Sequence, residues 1–422
     1  MILKEVRARK ILNSRREETI AVRVKTFQGT FEASAPQGAS KGQNEVHGFS
    51  PKGAGFSASF INTLGQKIVH ERTTFDKFED LEKIEEIYKK ADKTKRLEIF
   101  GGNPLYTLEA AILKAVAASY KLELWQFLNG HVKPVMPLLL GNCIGGGKHT
   151  REIEKPDFQE FLIIPRVKSG KVFDNQYLSL QTYKEVKKIL KKRDKLFCGK
   201  VTDEHAFISS LDNETILQIM QEVKERIKKR FRETVDLGLD VAASSFYDYK
   251  TERYHYKTFS DVKTDRVKSL TSDEQIEYIF SLIKRCGLSY VEDPFDENDF
   301  QAFAKLLKKV KAAKLNTLIV GDDLVCTNHE LLEKAIKSKS INAVIVKPNQ
   351  CGSLLETKKV VDIAKKNGIV PIVSHRSGET CDNTIAHLAV GWQIPIMKIG
   401  IVGKERFAKT NELVRIERKF IR

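Results

Sequence analysis

"VIVKPNQCG", residues Val344 to Gly352, is the stretch on which the reading of this chain turns. Val344, Ile345 and Val346 are β-formers with no polar residue between them, the pattern of a strand covered on both faces. Lys347 stands where that run stops, and Pro348 and Gly352 frame a turn. Lysine is among the residues least often buried without a partner. At the end of a buried strand it is either a salt-bridge anchor or a base, and the neighbouring strands decide between them.

Five more short apolar runs end in the same manner. "LGLDVAAS", "LSYVEDP", "TLIVGDD", "VPIVSHR" and "IPIMKIG" close on Asp240, Glu292, Asp322, His375 and Lys398. Amphipathic stretches separate them. "TSDEQIEYIFSLIKRCG" reads as a capping box from Ser272 to Gln275, then Ile276, Ile279, Phe280 and Ile283 on one face, with Gly287 as the stop. "LLETKKVVDIAKKNG" is a second such helix, stopped by Gly368. After the first, the strand ends recur every ~25–30 residues, one strand plus one helix of an α/β barrel. The carboxyl ends of barrel strands meet at one mouth, so these six groups should converge. One charged strand end is ordinarily a structural ion pair. Six in succession, of both signs, would each need a buried partner of its own.

The first third has another texture. "ETIAVRVKTFQGTFEASAP" reads as a hairpin turning at Gly29 and closed by Pro36. A glycine-rich loop, residues 36–55, follows, and helical patterning then dominates until Gly130. The expected architecture is an N-terminal α+β capping domain, residues 1–130, and a C-terminal α/β barrel, residues 131–422, with irregular first units.

Bulk properties exclude several classes. With 41% hydrophobic and 30% charged residues among 422, the chain is of ordinary globular composition and exceeds what one simple core supports. No apolar run is long enough to span a bilayer, and "MILKEVRARK" has no signal-peptide core, so a cytoplasmic location is expected. Six scattered cysteines without CxxC spacing argue for a reducing compartment and against a zinc site. The net charge of +17 is spread over helical faces such as residues 184–195 and 225–233, without interleaved aromatics. Weak, salt-sensitive binding to nucleic acid follows from charge alone.

Asp240, Glu292 and Asp322 are hard oxygen donors with no cysteine nearby, a set that suits Mg²⁺. Asp293 and Asp323 are adjacent alternatives, because a shift of one residue swaps which acid faces the mouth. A cluster of acids paired only to lysines is the plainer reading. Lys347 and Lys398 at neighbouring strand ends would depress one another's pKa, so that one could act as a base. Arg376 and Ser377 in "SHRSGET" suit a phosphate.

Taken in order, "APQGASKG", "GGGKHT", "DFQEFLIIP", "GLDVAAS", "VEDPFDENDF", "GDDL", "KPNQCG", "SHRSGET" and "MKIG" resemble the enolase (phosphopyruvate hydratase) family, from about residue 5 to the C-terminus. The resemblance implies a mobile active-site loop at 36–55 and two Mg²⁺ ions. Asp240, Glu292 and Asp322 would hold the tighter ion, and Ser40 would join a second, substrate-dependent one. Lys347 would take the C2 proton of 2-phosphoglycerate. Glu204, supported by Glu160, would protonate the departing hydroxyl. Lys398 would hold the substrate carboxylate, Arg376 and Ser377 the phosphate, with His149, Gln159 and His375 lining the pocket. A homodimer or larger homo-oligomer, and no membrane partner, are implied too. The chain departs from the family around the lids: "TDEHAFIS" stands for GDEGGFAP, "SRREET" for SRGNPT, Lys41 for a threonine, and the segment after "GASKG" is short. Those departures keep two other readings open: a paralogue acting on another phosphorylated hydroxy-acid, or a non-catalytic basic binding protein.

Overall fold

A computed structural model describes residues 1–39, 42–130, 132–258 and 268–420. Ser40 and Lys41 lie outside the described residues, so the metal-ligand expectation for Ser40 does too.

The alternating N-terminal residues form an antiparallel sheet of β1 (Glu5–Leu12), β2 (Glu18–Lys25) and β3 (Thr30–Ser34). Central β2 buries Thr19, Ile20, Ala21 and Val22 in succession, because it is covered on both faces. The almost wholly buried helix Gly102–Ser119 packs on β2 and β3, and the helix Ala54–His70 packs on β1. The helical stretch expected to run to Gly130 is broken. Lys121 takes a left-handed φ of +59°, a second short helix occupies Leu124–Asn129, and Gly130 caps that one.

The barrel strands are β4 (Leu138–Gly145), β5 (Glu160–Arg166), β6 (Thr234–Asp240), β7 (Leu288–Glu292), β8 (Leu318–Gly321), β9 (Ala343–Val346), β10 (Val370–Ser374) and β11 (Ile396–Lys398). They pair in sequence order, and β11 pairs with β4 to close the ring. Alternate residues fill the interior: Leu140, Leu162, Ile164, Tyr290, Val320, Ala343, Ile345, Ile372 and Ile396. The irregular first unit is β5, which runs antiparallel to both β4 and β6. Its first residue therefore lies at the mouth where the other strands end. Glu160 pairs with Asp240, the last residue of β6, and with Gly145, the last of β4.

The capping box of helix Ser272–Cys286 sits one residue earlier than the sequence suggested. Thr271 Oγ1 accepts the Glu274 N–H at 3.3 Å, and Glu274 Oε2 accepts the Thr271 N–H at 2.8 Å. Ser272 instead donates to Asp299 at 2.9 Å. Of the expected face, Ile276, Ile279 and Ile283 are buried and Phe280 only half-buried, and Gln275 and Tyr278 are buried beside them.

The last helix, Lys404–Phe420, is tied to Leu124–Asn129 by charge. The Arg415 guanidinium grips Glu123 with two bonds of 2.8 Å and also Glu412, which meets His387 at 2.9 Å. Burial alone would raise both carboxyls. Arg415, helped by Lys419 at Glu123 and by His387 at Glu412, instead pulls each to about 2 from 4.5. A depressed folded-state pKa gives stability that is complete above about 4.5 and is lost as pH falls towards 2. Urea midpoints measured down that range should fall less steeply for Arg415→Met than for wild type.

Candidate active site

Glu292, Asp240 and Lys398 are the last residues of their strands, whereas Asp322, Lys347 and His375 stand one residue beyond theirs. All except Glu292 border one cavity of about 30 Å³, together with Gly38, Ala39, His149, Gln159, Glu160 and Glu204. That is room for roughly one water between charged groups.

Lys398 Nζ lies 2.7 Å from Glu292, 2.8 Å from Glu160 and 3.1 Å from Asp240. Burial would lower its pKa, but Asp240, Glu160 and Glu292 hold it well above the ordinary value. Lys347 donates to Asp322, which also accepts Gln350 Nε2 at 3.0 Å. Burial, the largest single effect, works against the Lys347 charge, as do Arg376 and Lys398, yet the surrounding carboxylates, Asp322 first and then Glu292, together leave its pKa raised. The expected mutual depression of the two lysines is therefore not what this arrangement produces. Each ammonium has a carboxylate at hydrogen-bond distance, and that attraction exceeds the repulsion between them.

The adjacent acids separate by what their oxygens already do. Asp293, at a left-handed φ of +41°, folds back so that its oxygens accept the N–H groups of Asp322 at 3.0 Å and Asp323 at 2.8 Å. Glu292 Oε1 is buried with no hydrogen-bond partner among the described residues. Burial and the Asp240 charge push the Glu292 carboxyl up to about 8. Gln159 Nε2 reaches Asp240 Oδ2 at 3.2 Å.

Across the mouth, ligand atoms of His149, Glu160 and Glu204 all lie within 4.8 Å of one another. His149 Nδ1 is 3.5 Å from Glu160, and His375 Nε2 is 3.6 Å from Glu204. The two carboxylates are buried together. Burial drives Glu160 well up; it would raise Glu204 too, but His375 and His149 hold Glu204 well down. The two carboxyls are thus pushed apart, Glu160 towards the protonated form and Glu204 towards the ionised one.

Arg376 and Ser377 are held by the capping domain. Glu45, from the glycine-rich loop, takes the Arg376 guanidinium with bonds of 3.0 Å, and Asn349 Oδ1 accepts from it at 3.1 Å. Ser377 Oγ accepts the Ala39 N–H at 2.8 Å. Gln37 and Gly378 exchange backbone bonds of 2.7 and 2.8 Å, anchoring the loop's base to the barrel. Sequence reasoning missed Glu45, Gln350 and the fully buried Arg406, which donates to the Ser377 carbonyl at 2.7 Å. Glu45 is a lone acid in a loop, with no spacing to mark it. Arg406 carried a signal, a cation on the apolar side of an amphipathic helix.

Two family models match this chain end to end: "Enolase, N-terminal domain" over residues 3–128 and "Enolase, C-terminal TIM barrel domain" over residues 133–421. An enolase of Methanosphaera stadtmanae is 40% identical over 420 residues, covering 100% of this chain and 98% of its own length. Enolases of Methanothermobacter thermautotrophicus and Archaeoglobus fulgidus are each 38% identical, over 99% of this chain and 96% and 97% of theirs. The chain belongs to the enolase family. An enolase implies a metal site and a small-molecule substrate, and the oxygen-rich mouth fits a hard cation: ligand atoms of Asp293, Asp322 and Asp323 lie within 4.8 Å of one another, and Glu292 Oε1 is buried without a hydrogen-bond partner among the described residues. No helix among the described residues is long and apolar enough to cross a membrane.

Proposed function

We propose that this enolase interconverts 2-phosphoglycerate and phosphoenolpyruvate with Mg²⁺, the hydro-lyase step of glycolysis and gluconeogenesis, as a cytoplasmic homodimer or larger homo-oligomer. One observation carries the reading. Lys347 follows β9 and Glu160 opens β5, four strands apart either way round the closed barrel, and both border the same cavity. A substrate seated between them presents one face to a base and the other to an acid, as loss of a proton and a hydroxyl from neighbouring carbons requires.

Lys347 removes the C2 proton. A proton passes from Glu160 to Glu204, and Glu204 delivers it to the departing 3-hydroxyl, which leaves as water. Lys398, a cation fixed by three acids, turns to the substrate carboxylate, while Arg376 and Ser377 bind the phosphate. His149, His375 and Gln159 line the pocket and exclude water. Asp240, Glu292 and Asp322 would hold the tighter Mg²⁺, a choice supported by Glu292 Oε1, which is buried without a hydrogen-bond partner among the described residues; Ser40 would join a second, substrate-dependent ion. Bound there, the cation would supply positive charge that stabilises the negative charge developing on the substrate carboxylate. With Asp322 serving as its ligand, Arg376 and Lys398 would lower the Lys347 pKa. Full-length similarity to enolases favours this reading over the paralogue and the idle binding protein.

The test is the absorbance of phosphoenolpyruvate formed from 2-phosphoglycerate. Turnover should need Mg²⁺, vanish on chelation and return on readdition. Folded protein that makes no product with Mg²⁺ in excess would overturn the proposal.

A further inference from the structure

Glu204 stands on a tight turn, residues 202–206, rather than on a strand, and the residue after it has an unfavourable backbone. His205 has φ +64°, in the left-handed region that costs an L side chain free energy. The surroundings impose that conformation. Thr202 Oγ1 accepts the N–H groups of Glu204 and Ala206, each at 3.3 Å. The His205 N–H donates to the Thr202 carbonyl at 2.9 Å, and the Tyr183 hydroxyl donates to the His205 carbonyl at 2.6 Å.

The imidazole has a seat made for it. A Cβ added to Gly403 would lie 2.7 Å from His205 Cδ2 and 3.0 Å from Nε2, so the ring occupies the space that glycine leaves open. Gly400 makes a second close approach: a Cβ there would lie 3.1 Å from the Glu204 carbonyl oxygen. Arg406, a few residues on, donates to the carbonyls of Asp203 at 3.4 Å and Ser377 at 2.7 Å. Burial and the Arg406 charge keep His205 below its ordinary pKa, so the ring acts here by shape.

We propose that His205 is a positioning residue for Glu204: its ring, seated on Gly403, locks the turn so that the acid faces Glu160 and His375 before substrate arrives. The strain at φ +64° is the cost of that preorganisation. The inference rests on the reading of Glu204 as the acid and deepens it.

His205→Gly removes the ring and relaxes the backbone, and His205→Asn keeps a side chain that tolerates the left-handed region. For each, three quantities are compared with wild type: melting temperature, exchange of the C2 proton with solvent, and dehydration. Both variants should melt close to wild type and exchange at its rate, while dehydration falls about tenfold or more, the scale of a misplaced catalytic group. Dehydration at the wild-type rate in both variants overturns the inference. So does a parallel fall in exchange and dehydration with a lower melting temperature, which marks a purely structural residue. Wild type that neither exchanges nor dehydrates defeats the functional reading before any variant is compared, and this inference with it.

Discussion

Lys347→Ala should abolish exchange of the C2 proton with solvent and lower phosphoenolpyruvate formation by about 10³-fold or more, the span that a positioned base contributes. Two features make this the first of the large effects. Lys347 is buried at the mouth four strands from Glu160, and among the described residues the one other lysine bordering the cavity is Lys398, which three acids already engage. Its removal also leaves Asp322 with Gln350 as its remaining side-chain partner among the described residues. An uncompensated buried carboxylate costs on the order of 3–5 kcal/mol when its partner is deleted. That cost should shrink in Mg²⁺, since a cation at Asp322 replaces the lost charge. The measurement is deuterium wash-in at C2 alongside turnover, on protein shown to be folded at the same Mg²⁺ concentration. Retained exchange in folded Lys347→Ala would sink the assignment of the base.

The sequence disclosed the barrel because parallel strands covered on both faces read as uninterrupted apolar runs, and "AVIV", "LIV" and "VPIVS" are such runs. Their ends were visible for the same reason: a charge cannot continue a buried strand, so Asp322, Lys347 and His375 marked the mouth. Glu160 was harder. It begins its strand instead of ending it, and only the reversal of β5 carries it to the other strand ends. Residue patterning does not distinguish a reversed strand from a forward one, so Glu160 rested on family resemblance alone.

Charge partners were the least legible part. Whether Lys398 meets one acid or three, and whether Glu45 or the solvent meets Arg376, depends on contacts between residues as far apart as 331 positions. No local rule spans that distance. The expectation of two mutually depressed lysines failed for this reason: it counted the cations and could not see which carboxylate each would find. The misplaced capping box at 272–275 is a smaller failure, since Thr271 and Ser272 are equally good caps by type and Asp299, from another unit of the barrel, decided between them.

Glu204→Gln should leave C2 exchange running while dehydration falls by about 10²–10⁴-fold, because the amide keeps the shape but cannot take a proton from Glu160 and pass it on. The substitution removes a charge that burial opposes, so the fold should survive it. The sharper expectation concerns Glu160. Burial favours the protonated Glu160 while His375 and His149 favour the ionised Glu204, so the two should act as a single one-proton unit. Glu160→Gln should then also stop dehydration, and the double variant should be scarcely worse than either single one, as for residues that act together. Rapid-quench measurement of product at saturating 2-phosphoglycerate, with exchange followed in parallel, separates the cases. Strictly multiplicative losses would mean that the two carboxylates work independently. Normal dehydration in Glu204→Gln with none in Glu160→Gln would move the acid to Glu160, the carboxyl that burial already pushes towards the protonated form.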